Sequence, residues 1–182
     1  MKNTLSLRIG LLGLLLSLAG CASPTKPAAM KVDQLNLTNR FDKTVAVQTN
    51  GGQPTDPMWT SKVSDADLAQ AITESLRANG LFSAVVSLNE SDYVLNATIV
   101  NIDQPMMGFT MSVGVEIVWS LAPKGQTKPV WEHSVSSRAQ KTTGDAFVGV
   151  TRLRLATEAA TQENIRKALT LLSQQQLPTS SP

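Results

Sequence analysis

The stretch Phe109-Thr110-Met111-Ser112-Val113-Gly114-Val115-Glu116-Ile117-Val118-Trp119-Ser120-Leu121 decides the fold class. Its odd positions (Phe109, Met111, Val113, Val115, Ile117, Trp119, Leu121) are all large and apolar, and its even positions are mostly small or polar. Side chains alternate across a strand with period two, so this segment reads as a half-buried strand with its odd face in the core. The run is long for a strand, and Gly114 is where a bulge or bend is expected.

Working outward, Tyr93 to Ile102 and Val130 to Ala139 read as neighbouring strands. A hairpin centred near Pro105 sets Leu95 against Val115, Ala97 against Val113 and Ile99 against Met111. A hairpin centred near Gly125 sets Trp119 against Trp131, Ile117 against His133 and Val115 against Val135. Both registers keep the odd residues on one face, which is what a meander requires, because a one-residue slip turns a whole strand over. Thr44 to Thr49 and Ser83 to Leu88 are further strand candidates.

Two helices complete the pattern. Ser64 with Asp67 resembles a capping box, and Gly80 stands where a left-handed C-terminal cap belongs. Between them Leu68, Ala71, Ile72, Ser75 and Leu76 recur at helical spacing. A second helix, about Thr151 to Gln174, carries a stripe of Leu155, Ala159, Gln162, Ile165, Leu169 and Leu172, helped by Ala156, Ala160 and Ala168, with Glu158, Glu163, Arg166 and Lys167 on its wet face. The expected fold is α+β: an antiparallel-rich sheet of four to five strands with two helices packed on one face.

The first 21 residues have a different character. Lys2 and Arg8 precede an apolar run from Ile9 to Leu16, followed by Leu18-Ala19-Gly20-Cys21. A basic start, a short apolar stretch and a small-residue cleavage site make a secretory signal. The run is shorter than the about 20 apolar residues that span a bilayer. Cys21 is the only cysteine. These residues resemble the signal peptide and lipobox of a bacterial lipoprotein. The resemblance implies cleavage before Cys21 and acylation of its sulfur and freed amine. Ala22 after the cysteine, where the family's sorting rule reads Asp as a retention signal, implies the periplasmic face of the outer membrane. The implied organisation is 1–20 signal peptide, 21–35 lipidated tether, 36–175 α+β domain and 176–182 disordered tail. The tether reading comes from the Pro, Ala and Ser content of 22–31.

Cleavage also resets the charge. Lys2 and Arg8 leave with the leader, basic residues fall from 16 to 14 against 14 acidic ones, and the net charge falls from +2 to 0. No basic stripe of the kind that binds nucleic acid is present. With one histidine, His133, and no free thiol after acylation, neither a transition-metal site nor a Ser-His-Asp site is expected. The hairpin register places His133 on the packed face. Glu90 with Asp92 and Asp65 with Asp67 read as turn and helix-start carboxylates. Lys124 and Lys128, and Arg152 and Arg154, read as solvated faces. No cofactor, metal or catalytic residue is expected, and the chain is read as a non-enzyme.

The order of elements resembles small envelope lipoproteins. It consists of a helix ending in "SLRANGLFSAV", a "SDYVL" strand, a long strand ending in Trp119-Ser120-Leu121, a Val130-Trp131 strand and a final helix with "ENIRKAL". It is similar to that of the ABC-transport auxiliary lipoproteins. The lipoprotein partner in lipopolysaccharide assembly and the penicillin-binding-protein activators share parts of it. These families imply a non-catalytic accessory subunit of an envelope assembly or transport machine. Its partners would be the membrane, through Cys21, and an envelope protein complex. A lipid- or glycan-binding lipoprotein, with a groove between sheet and helices, is the alternative, and an envelope enzyme the second alternative. Candidate partner contacts are Met58 and Trp59, in the long loop Asn50 to Lys62, and Phe147, in the loop Gly144 to Gly149. Trp is enriched at binding hot spots, although Trp59 equally suits a staple for the following helix. The outer sheet face, with Ser112, Glu116, Ser134 and Arg138, reads as a solvated surface or a flat docking face.

Overall fold

The computed structural model describes residues 22–55 and 61–177. Five strands form one mixed sheet: β1 (Phe41–Asn50), β2 (Phe82–Val85), β3 (Tyr93–Asp103), β4 (Met111–Pro123) and β5 (Trp131–Lys141). Their order is β2-β1-β3-β4-β5. β1 is parallel to both neighbours, and β3-β4-β5 is the expected antiparallel meander. The helices are α1 (Pro27–Met30), α2 (Asp65–Asn79) and α3 (Gly149–Ser173). The α+β class, the strand number and the two long helices agree with the sequence.

Local signals set α2. Ser64 Oγ accepts from the Asp67 N–H at 3.1 Å, and Gly80 adopts φ 58° with its N–H on Leu76 O. Leu68, Ala71, Ile72, Ser75 and Leu76 are buried, as their spacing requires. α2 lies over β1 and β2, and α3 over β4 and β5. Leu95, Ile117, Trp119, Leu121, Ile165, Leu169 and Leu172 fill the space between sheet and helices, each fully buried.

Both hairpin registers differ from expectation. Leu95 pairs with Leu121, Ala97 with Trp119 and Ile99 with Ile117, six residues from the expected partners. Trp119 pairs with His133, Ile117 with Val135 and Val115 with Ser137, two residues away. Both shifts are even, so the odd residues of β4 keep the core face. The β3–β4 connection is longer than a tight turn at Pro105, and Phe109 lies in it, 84 % exposed, rather than in β4. The bulge falls on β3, not at Gly114. Val100 is the unpaired residue between Ile99–Ile117 and Asn101–Glu116. The extra residue reverses the phase of β3, so Ile102 turns toward the core and Asn101 and Asp103 turn out. A Cβ on Gly114 would meet Arg138 Nη2 at 3.0 Å.

The stripe on α3 is largely the expected one: Ala156, Ala160, Ile165, Ala168, Leu169 and Leu172 are buried, joined by Leu153 and Asn164, whereas Leu155, Ala159 and Gln162 are half-buried. Asn164 locks this helix to the sheet. Its Oδ1 accepts from Trp119 Nε1 at 2.9 Å, and its Nδ2 donates to Val135 O at 2.7 Å and Val115 O at 3.2 Å. Glu158, expected on the wet face, is buried, accepts from Arg154 at 2.7 Å and receives the Lys26 N–H at 2.9 Å.

Residues 22–35 do not stand off as a tether. They form a strap that runs the length of the two long helices. Met30 and Val32 are fully buried. The Val32 N–H donates to Ser75 Oγ at 2.9 Å and its carbonyl accepts from Asn79 Nδ2 at 2.8 Å. The Lys31 carbonyl accepts from Gln162 on α3, and the Gln34 carbonyl from Arg166. At its end Thr38 and Asn39 bond to Ser173. The composition that suggests a linker hides two apolar anchors and a backbone whose polar groups find partners on both helices.

Candidate functional site

The strand directions gather several connections at one end of the sheet. These are the β1–α2 loop, the β3–β4 loop (residues 104–110), the β5–α3 loop (residues 142–148) and the start of the strap. Hydrogen bonds hold them together. Ser61 Oγ donates to Ser23 O at 2.7 Å, and Thr25 Oγ1 donates to Lys62 O at 3.2 Å. Gln104 Nε2 donates to Ser61 O at 2.9 Å and to Thr157 Oγ1 at 2.8 Å.

Arg152 joins the other two loops. Expected as a solvated residue, it is instead 6 % exposed in the first turn of α3. Its Nη1 donates to Ala146 O at 2.8 Å and Phe147 O at 2.7 Å, and its Nη2 to Gly108 O at 3.0 Å. A guanidinium presents several donors in a rigid fork, which suits it to fixing two backbone segments at once. Its Nε has no partner among the described residues. Above this clamp, Met106, Met107, Phe109 and Phe147 stand 83–91 % exposed. Asp145 steadies the second loop. It accepts from the Thr142 N–H at 2.8 Å and pairs with Lys141, and these contacts hold its carboxyl below the usual carboxylate range.

Phe147 is therefore exposed in the β5–α3 loop, just before the start of α3. Met58, Trp59 and Cys21 lie outside the described residues. The clamp and the apolar group of the β3–β4 loop are not among the sequence expectations. Pro105-Met106-Met107-Gly108-Phe109 carried a usable signal: large apolar residues between turn formers, where a surface loop is ordinarily polar.

His133 corrects another expectation. It is exposed on the edge strand, with its ring 5.2 Å from that of Trp131. α3 seats on β5 through Asn164 at Val135 and Ala160 at Ser137, and His133 lies outside those contacts. The outer sheet face carries an open groove of about 660 Å³ lined by Asn101, Asp103, Glu116, Ser136 and Arg138. Arg138 lies across it, 3.0 Å from Asp103 and 3.3 Å from Ser112 Oγ, and Ser134 donates to Glu116 at 2.7 Å. These exposed groups satisfy one another. Among the described residues no His, Cys, Asp and Glu group is placed to hold a metal, and no helix is long and apolar enough to cross a membrane.

No protein-family model and no curated protein matches the chain. Solved structures do. Protein XCC0632 from Xanthomonas campestris, of family DUF330, is similar over 84 % of this chain and 92 % of its own, with 12 % identity and a TM-score of 0.57. The hypothetical protein CT253 from Chlamydia trachomatis is similar over 72 % of this chain and 96 % of its own, with 7 % identity and a TM-score of 0.52. A putative lipoprotein from Caulobacter crescentus matches over 74 % of this chain and 88 % of its own, with 13 % identity and a TM-score of 0.47. The first two share the fold.

Proposed function

We propose that this chain is an outer-membrane-anchored periplasmic lipoprotein, acting as a non-catalytic accessory subunit of an envelope assembly or transport machine. The observation that carries the reading is Leu18-Ala19-Gly20-Cys21 behind a basic, apolar leader, with the next residue, Ala22, buried against the domain. Acylation of both the sulfur and the amine gives stable anchoring, since each buried methylene contributes about 0.8 kcal/mol and one chain alone holds only marginally. The non-catalytic part rests on the sequence, with its single histidine and without a convergent set of acid, base and nucleophile. The alternative of a lipid or glycan held between sheet and helices loses its support, because Trp119, Leu95, Ile165 and their neighbours fill that space.

The partner is proposed to meet Met58 and Trp59. A photoreactive residue in place of Trp59 should capture one envelope protein in cells, and Trp59→Ala should weaken that capture while leaving the melting transition nearly unchanged. A large loss of stability would make Trp59 a staple of α2, and no capture from any position of the loop would overturn the accessory-subunit reading.

A further inference from the structure

Met106, Met107, Phe109 and Phe147 expose 85, 83, 84 and 91 % of their surfaces. Single exposed apolar residues are ordinary, but a cluster of large ones marks an interaction surface. Here the cluster has one base: the buried Arg152 binds Gly108 O in one loop and Ala146 O and Phe147 O in the other.

The position of the strap's first residues says what covers it. Ser23 and Gln104 both bond to Ser61, so the strap begins beside the loop that carries Met106 and Met107. Ala22 is already buried and Thr25 is bonded to Lys62. The residue that follows Cys21 in the chain is thus docked on the domain. A lipid on Cys21 has no slack with which to hold the domain at a distance. We infer that this end of the domain rests on the bilayer, with the apolar tips of the two loops inserted at the headgroup–acyl boundary beside the anchor. The inference rests on the proposed acylation of Cys21. The anchor supplies retention, and the loops, held at high effective concentration over the surface, fix which way the domain faces.

The test uses the acylated full chain in vesicles of phosphatidylethanolamine and phosphatidylglycerol whose acyl chains carry a nitroxide quencher. Met107→Cys, Phe147→Cys and Thr127→Cys each receive an environment-sensitive fluorophore. Thr127 lies in the β4–β5 turn at the opposite end, where it is exposed. Insertion to the depth of an interfacial apolar face, about 5–10 Å, should quench the probes at 107 and 147 by about twofold or more and leave that at 127 unchanged. Flotation with the vesicles but no quenching at 107 and 147 would overturn the orientation while the anchor stands. Probes at 107 and 147 shielded from both nitroxide and aqueous iodide would also overturn it, in favour of a second copy of the chain. A chain that fails to float and takes up thiol label at Cys21 would overturn the anchor, and this inference with it.

Discussion

Truncating Met30 to alanine separates a strap from a tether. Met30 has no exposed surface, and it lies in α1 between the two long helices. Removing a fully buried methionine side chain costs about 2–5 kcal/mol in lost transfer energy and residual cavity. The flanking backbone argues for partial collapse only, because Lys31 N–H is tied to Pro27 O and Val32 to Ser75 and Asn79. About 3 kcal/mol is the central expectation. For a domain of this size each kcal/mol moves the melting midpoint by about 2–4 °C, so Tm should fall by about 6–12 °C. Asn36→Ala, at an exposed position just after the strap, is the control and should stay within about 0.5 kcal/mol of the parent. The assay is urea and thermal unfolding of the full chain followed by circular dichroism. A Met30→Ala protein as stable as the Asn36→Ala control would refute the packing described for residues 22–35 and restore the tether.

The α3–sheet lock predicts that Asn164→Ala destabilises by at least about 1–3 kcal/mol, because Trp119 Nε1 is left as a buried donor without a partner. Tryptophan emission and denaturant midpoints would show it, and an unchanged midpoint would contradict the network. Gly51→Ala should cost about 1–3 kcal/mol, since φ is 80° and the added Cβ would lie 2.2 Å from Ile99 O. A neutral result in the same unfolding assay would mean that the β1–α2 loop leaves Ile99 free. Asp92 and Asp145 sit below the usual carboxylate range, Asp92 through the Thr44 N–H and hydroxyl, Asp145 through the Thr142 N–H and Lys141. A depressed folded value stabilises above the ordinary carboxylate pKa, about 3.9, and the contribution is lost as pH falls through the folded value. Unfolding midpoints should therefore drop from pH 5 toward pH 2, with a smaller drop in Asp92→Asn; identical pH profiles would contradict the assignment.

The elements that sequence described best are those set by neighbouring residues. α2 is bounded by Ser64 and Gly80, and β4 is marked by its own alternation. Its core face was legible even with the wrong partners, because both register shifts are even. The registers themselves depend on loop length and on the Val100 bulge, and neither leaves a period in the sequence. Two apolar residues, Met30 and Val32, sit in a Pro- and Ala-rich segment, so their burial is decided by the groove between α2 and α3 rather than by local pattern. The burial of Arg152 is hidden from sequence for a similar reason. Its partners are backbone carbonyls, one of them in a loop 44 residues away, and a carbonyl carries no residue-type signal. Of the candidate contact residues, Phe147 was found as an apolar residue in a loop. Met106 and Met107 have the same character, but the assumed tight turn at Pro105 concealed them.

Everything proposed for function depends on Cys21 becoming the acylated first residue of a domain displayed on the membrane by a strap with no slack. The decisive measurement is the intact mass of the mature chain isolated from membranes. It should be that of a chain beginning at Cys21 with a diacylglyceryl group on sulfur and an acyl group on the amine. A mature chain whose Cys21 is an unmodified thiol, or an uncleaved leader, would contradict it.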